Sequence, residues 1–170
     1  MIEKDARKRN WFALYTKPRH EFKAQQQLHE LYIEHYLPVI EVVRKWSDRK
    51  KVIKEPLFRG YIFIKADEKE RLTALHQPSI VKTICSEGKP SVIPEWQIDN
   101  IKILLKEKPE VFVSDKIEIG SKVKIIEGPF AGIIGQVTQH NNEKWLSVSV
   151  DLLKRSILLK LPANCVVKQV

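Results

Sequence analysis

The side chains of this chain that could do chemistry fall into an apparent metal motif and two basic groups, and none has catalytic spacing. HEFKAQQQLHEL bears a surface likeness to histidine and glutamate metal motifs. A zinc-binding H-E-x-x-H helix needs its histidines one turn apart on one face, whereas His20 and His29 are nine residues apart and Ala24 stands where the second histidine would be. No G-x-S-x-G elbow, phosphate-binding glycine loop or grouping of cysteine with histidine occurs elsewhere. No enzyme activity, metal or cofactor is therefore expected.

The basic groups have the chemistry of binding. RKWSDRKKVIK, Arg44 to Lys54, sets six cations against Asp48 alone, with Trp46 among them. Such a segment can neutralise several phosphates, Lys50 and Lys51 foremost, and its indole can stack on an unpaired base. The same charges would also serve a hairpin that needs only to discourage edge pairing. A second patch, Lys17, Arg19, His20 and Lys23, opens a helix, where free backbone N–H groups also favour phosphate. The net charge of +9 agrees with a polyanionic neighbour.

These groups need elements to hold them. WFALYT, Trp11 to Thr16, reads as a buried strand, and from Pro18 to about Ile33 the residues Ala24, Leu28, Leu31 and Tyr32 form one apolar helical face. HYLPVIEVVRKW and KVIKEPL read as strands around the charged tip SDRK, with Pro38 and Pro56 pushing them to edge or irregular positions. RGYIFIK reads as a central strand with Tyr61 and Phe63 on one face and Ile62 and Ile64 on the other. A short helix over Glu68 to His76, a strand over Ile80 to Cys85 and a helix over Pro94 to Lys106, with Ile98, Ile101 and Leu105 inward, complete an α/β sandwich. Helices need cover only one sheet face, so Trp11, Tyr15, Tyr61 and Phe63 can form an aromatic docking surface on the other.

Beyond the charged, proline-bearing segment 108–116, read as a linker, five short strands separated by turn signals have the rhythm of a small β-barrel. VKIIEGPFAGIIGQV, Val123 to Val137, gives two β-branched runs around a turn containing Gly128, Pro129, Gly132 and Gly135, with Phe130 at the tip. Cys85 and Cys165 lie in apolar stretches and read as buried thiols of a reducing compartment. The amino terminus has no signal-peptide pattern and no segment reaches the length of a membrane span, which leads us to expect a cytoplasmic protein without a membrane partner.

The glycine-bearing hairpin resembles the KOW motif, and WFALYTKPRHEFKAQQQL, HYLPVIEVVRKWSDRKKVIKEPLFRGYIFIK and SIVKTICSEGKPSVIP together resemble the NusG amino-terminal domain. YLP, the basic hairpin and GKPSVIP look closest to the specialised paralogues of the RfaH and UpxY type. Arg59 departs from the proline that the family usually carries there. The resemblance implies an α+β chain: an amino-terminal (NGN) domain over residues 9–107, a linker over 108–116 and a five-stranded SH3-like KOW barrel over 117–170. It implies a monomeric transcription elongation and antitermination factor whose Tyr15, Tyr61, Phe63 and Ile84 meet the clamp coiled coil of RNA polymerase. Lys17, Lys23 and Gln27 match positions that face the non-template DNA strand, and the KOW domain, with Phe130 as its contact, would recruit ribosomal protein S10 or Rho. The competing expectation is a KOW-containing RNA-binding or ribosome-associated protein, in which the aromatic face is core.

Overall fold

The computed structural model describes residues 8–107, 111–114, 120, 122–140, 143–160 and 166–170. In chain order the first elements are β1 (Asn10–Thr16), α1 (Glu21–Glu30), β2 (Glu34–Tyr36), β3 (Val39–Lys45), β4 (Lys50–Pro56), β5 (Tyr61–Ala66) and α2 (Glu68–Leu75). The short strands β6 (Ile80–Thr83), β7 (Cys85–Ser86), β8 (Lys89–Pro90) and β9 (Val92–Ile93) follow, then α3 (Glu95–Lys106). The remaining strands are β10 (Val111–Ser114), β11 (Lys122–Glu127), β12 (Ile134–His140), β13 (Glu143–Val150), β14 (Arg155–Lys160) and β15 (Val166–Gln169). Two compact units result, one from the residues up to Val39 with Lys54–Ile93, the other from Ile40–Ile53 with the chain from Pro94 onward.

The first unit is an antiparallel sheet in the order β2-β5-β1-β6, with β9 also pairing β1. Strand alternation sends Phe12, Leu14, Ile62 and Ile64 to one face, where Ala24 and Leu28 of α1 and Ala74 of α2 close a buried core over them. Helix α2 starts in a capping box, with Asp67 accepting from Glu70 N–H at 2.8 Å and Glu70 accepting from Asp67 N–H at 2.9 Å. Its Arg71 is buried over the Phe12 ring, donates to Thr83 Oγ1 at 3.0 Å and pairs with Glu68. The hydrogen bond that Arg71 donates to Glu68 holds that carboxyl below its usual range.

Helix α1 is shorter than the apolar face in the sequence suggests. It stops at Glu30 because Tyr32 turns left-handed at φ 56°, and Ile33 N–H then reaches back to the Leu28 carbonyl at 3.1 Å. This is a Schellman ending, and it leaves Leu31 and Tyr32 exposed instead of buried. Cys85 is likewise exposed, since β7 and β8 pair only with each other; Cys165 lies outside the described residues.

The second unit holds the β3–β4 hairpin over Ile40–Ile53, helix α3 and an antiparallel sheet in the order β10-β14-β13-β12-β11-β15. Strand β10 falls inside the segment expected to be linker, and it pairs with β14 from Val111↔Leu159 to Ser114↔Ser156. Helix α3, assigned by sequence to the first domain, buries Ile98, Ile101 and Leu104, with Leu104 inward in place of Leu105. Gln97 and Asn100 are buried beside them and hydrogen-bond to Asp151 and Ile134. Two polar side chains at i, i+3 thus hold one helix face to β12 and to the turn that follows β13, which an apolar-periodicity reading does not register.

Candidate functional site

The register of the first sheet decides which aromatics share a face. Directly opposed residues lie on the same side, and the pairs are Ala13↔Phe63, Tyr15↔Tyr61, Trp11↔Lys65 and, from β2, Tyr36↔Phe63. Trp11, Tyr15, Tyr36, Tyr61 and Phe63 therefore line the face opposite the helices α1 and α2. Sequence alternation does not single out Tyr36, because Pro38 disturbs the pattern of its segment. Its cross-strand position beside Phe63 is the signal that finds it.

Accessibility divides this set. Tyr15 and Tyr61 are half-buried and meet edge to face, with centroids 5.5 Å apart and planes at 61°. Phe63 is fully buried, packed edge to face on Phe58 at 6.1 Å, so, against the expectation, it is not presented for direct contact with a partner. Trp11 is buried too. Ile84 is half-buried, its N–H bonded to the Ala13 carbonyl at 2.9 Å and its carbonyl to Ser91 N–H at 3.1 Å. Burial pushes the Tyr36 hydroxyl up to about 12.

A turn seats the accessible pair. Gly60 has φ 85°, and a Cβ there would lie 3.1 Å from Tyr15 Cε2, so the backbone passes against the ring as only glycine permits. Gly60 N–H donates to the buried Glu21 carboxylate at 2.8 Å, and its carbonyl accepts from Thr16 N–H at 2.8 Å. Glu21, inside the segment that resembles a metal motif, is thus a turn anchor. Among the described residues, no group of three or more His, Cys, Asp and Glu could hold a metal. Arg59, at the position that departs from the family, is exposed and ion-paired with Glu55 at 3.0 Å.

The cationic residues gather at two places. Lys17, Arg19, His20 and Lys23 cluster at the amino end of α1, where Arg19 holds φ 62° and His20 Nδ1 lies 2.9 Å from the Pro18 carbonyl. Lys17, Arg19 and Lys23 are exposed, while Gln27 is half-buried and accepts from Ser79 N–H at 3.3 Å. Lys50 and Lys51 are exposed on the β3–β4 hairpin, with Lys51 Nζ 5.3 Å from the Trp46 ring centre. In the second unit Phe130 is buried, not presented at the loop tip, and this corrects its expected role as a partner contact. No helix among the described residues is long and apolar enough to cross a membrane.

Known proteins are similar along most of the chain. A protein from Helicobacter pylori named transcription termination/antitermination protein NusG is 26% identical over 171 residues, covering 89% of this chain and 94% of its own. The protein of the same name from Thermus thermophilus is 27% identical over 181 residues, covering 93% and 97%. Among solved structures, one titled "Domain interaction in Thermotoga maritima NusG" matches 95% of this chain and 94% of its own at 20% identity, with a TM-score of 0.49. The NusG family, described as transcription termination factor nusG, matches residues 9–102. That match spans more than half of the 170 residues, and the chain belongs to the NusG family.

Proposed function

We propose that this protein is a transcription elongation and antitermination factor that docks its aromatic sheet face on the clamp coiled coil of RNA polymerase. The observation that carries this reading is the accessible Tyr15–Tyr61 pair on the sheet face opposite the helices, in a chain of this family. Tyr15 and Tyr61 make the direct contacts, Ile84 flanks them and Phe63 supports them from below. Lys17, Arg19, His20, Lys23 and Gln27 face the non-template strand, and Lys50 and Lys51 extend the nucleic-acid contacts. Carboxy-terminal to α3, the sheet acts as an SH3-like KOW module that recruits a second partner, ribosomal protein S10 or Rho. The basic hairpin and the YLP and GKPSVIP segments favour a specialised paralogue of the RfaH and UpxY type, acting as a monomer in the cytoplasm.

The mechanism needs no bond-making. A polymerase clamp that opens during pausing stays closed if one protein binds both sides of the cleft better in the closed state, and only that difference in affinity shifts the equilibrium. Binding of purified polymerase to Tyr61→Ala tests the docking face. We expect affinity to fall about tenfold or more with the thermal unfolding transition retained, as for loss of an aromatic anchor. Unchanged affinity in the folded variant would remove the assigned face.

A further inference from the structure

We propose that the β3–β4 hairpin is a single-stranded nucleic-acid site in its own right, in which the Trp46 ring stacks on an unpaired base while neighbouring cations hold the adjoining phosphates. This rests on the nucleic-acid-facing reading above and adds the form of the ligand and the residue that selects it. The hairpin is exposed at every residue from Val43 to Val52, and Trp46 is 49% exposed within it. A tryptophan contributes most to a fold when it is buried, and here a large part of its surface is in water. Six cations lie between Arg44 and Lys54 against one acid, so the ring sits in a field that attracts an anion.

Position adds to composition. Trp46 N–H donates to the Arg49 carbonyl at 2.8 Å, which fixes the turn and sets the indole at the end of a strand. Lys51 Nζ stands 5.3 Å from the ring centre, so a phosphate bound by Lys51 leaves its nucleotide beside the indole. Lys51 takes one side of the ring, and the remaining exposed surface accepts a base. Inside a duplex the base faces are already stacked and unavailable, whereas an unpaired strand offers them. An acidic protein surface would use the charges but would gain nothing comparable from the ring.

The test uses the full chain and labelled oligomers of about 15 nucleotides, long enough for the usual site sizes. Oligo-dT and oligo-U arms separate DNA from RNA, an abasic chain of equal length reports phosphate contacts alone, and a duplex reports strandedness. Trp46→Ala should weaken binding of the preferred unpaired oligomer about 5- to 150-fold and leave abasic binding unchanged, while Trp46→Phe retains most of the affinity. Replacing Lys50 and Lys51 by Gln should lower the slope of log affinity against log salt by about 1.4. Equal affinity of Trp46→Ala and the parent for unpaired oligomers, duplex bound as tightly as single strand, or polyglutamate bound in preference to both would each overturn the proposal. Polymerase binding by the same variants is read in parallel, and its dependence on Tyr61 stands or falls separately.

Discussion

The side-chain amide of Asn100 engages both backbone groups of Ile134: the Ile134 N–H donates to Oδ1 at 3.1 Å, and Nδ2 donates to the Ile134 carbonyl at 2.7 Å. The helix thereby adds a strand-like pair of hydrogen bonds to β12 from a residue that is itself buried. Removing one partner leaves buried groups unpaired, which costs more than the net worth of the bonds. Asn100→Ala should lower stability by roughly 2–4 kcal/mol in urea unfolding, and hydrogen exchange at the Ile134 amide should accelerate.

Gly60 and Tyr15 should behave as a coupled pair. Gly60→Ala combines a left-handed φ with a Cβ at 3.1 Å from the ring, and a loss of about 1–3 kcal/mol is expected. In a Tyr15→Ala background the contact part of the penalty disappears and the backbone part stays. A double-mutant cycle in chemical denaturation separates them, and additive losses would show that the ring does not feel the turn.

Phe63 and Tyr61 share a face but should separate on mutation. Phe63→Ala opens a cavity in a fully buried site and is expected to cost about 3–5 kcal/mol of stability. Tyr61→Ala, half-exposed, should cost less stability and more polymerase affinity. Calorimetry run beside a binding assay reads the two effects, and a Phe63→Ala protein as stable as the parent would contradict its burial.

Tyr36 gives the protein an alkaline limit. Its hydroxyl titrates near 12 in the fold against 10.0 for an unburied tyrosine, so between these values the unfolded chain has released a proton that the folded one keeps. Stability from this source is complete below pH 10 and declines as pH rises toward 12, by roughly 2–3 kcal/mol in all. Tyr36→Phe should flatten that decline in urea titrations from pH 9 upward, and should remove the last-ionising step from the 295 nm absorbance titration.

Tyr32 occupies a position suited to glycine. It is 93% exposed at φ 56°, so it sacrifices backbone comfort without packing in return. Tyr32→Gly should raise stability by about 1 kcal/mol, measured by thermal unfolding. A loss would show that the exposed ring makes contacts that outweigh the backbone strain.

Much of the first sheet was legible because alternation is a local signal. Tyr61 and Phe63 against Ile62 and Ile64 sort to opposite faces from spacing alone, and the register of β1 with β5 follows the same parity. What spacing could not tell was depth. Phe63 and Phe130 look like docking aromatics in sequence and are buried, because alternation and turn signals give the placing of a side chain and not what packs over it. Leu31 and Tyr32 fit the helical stripe of α1, yet a Schellman ending, a backbone event with no glycine to announce it, takes them out of it. Asn100 and Gln97 were silent for a different reason. Their roles depend on partners 34 and 54 residues away, and polar side chains contribute no periodic signal.

The pairing of β10 with β14, and the burial of Ile98, Ile101 and Leu104 on α3, bear on how this protein can be divided in the laboratory. A fragment ending at Glu107, where the sequence invites a cut, would keep the helix and discard Ile134 of β12 and Asp151 just beyond β13, which its amides hold. Gln97 and Asn100, buried on the same helix as Ile98, Ile101 and Leu104, would then be left without those partners. A fragment meant to keep α3 as it stands here must therefore carry Ile134 and Asp151 with it.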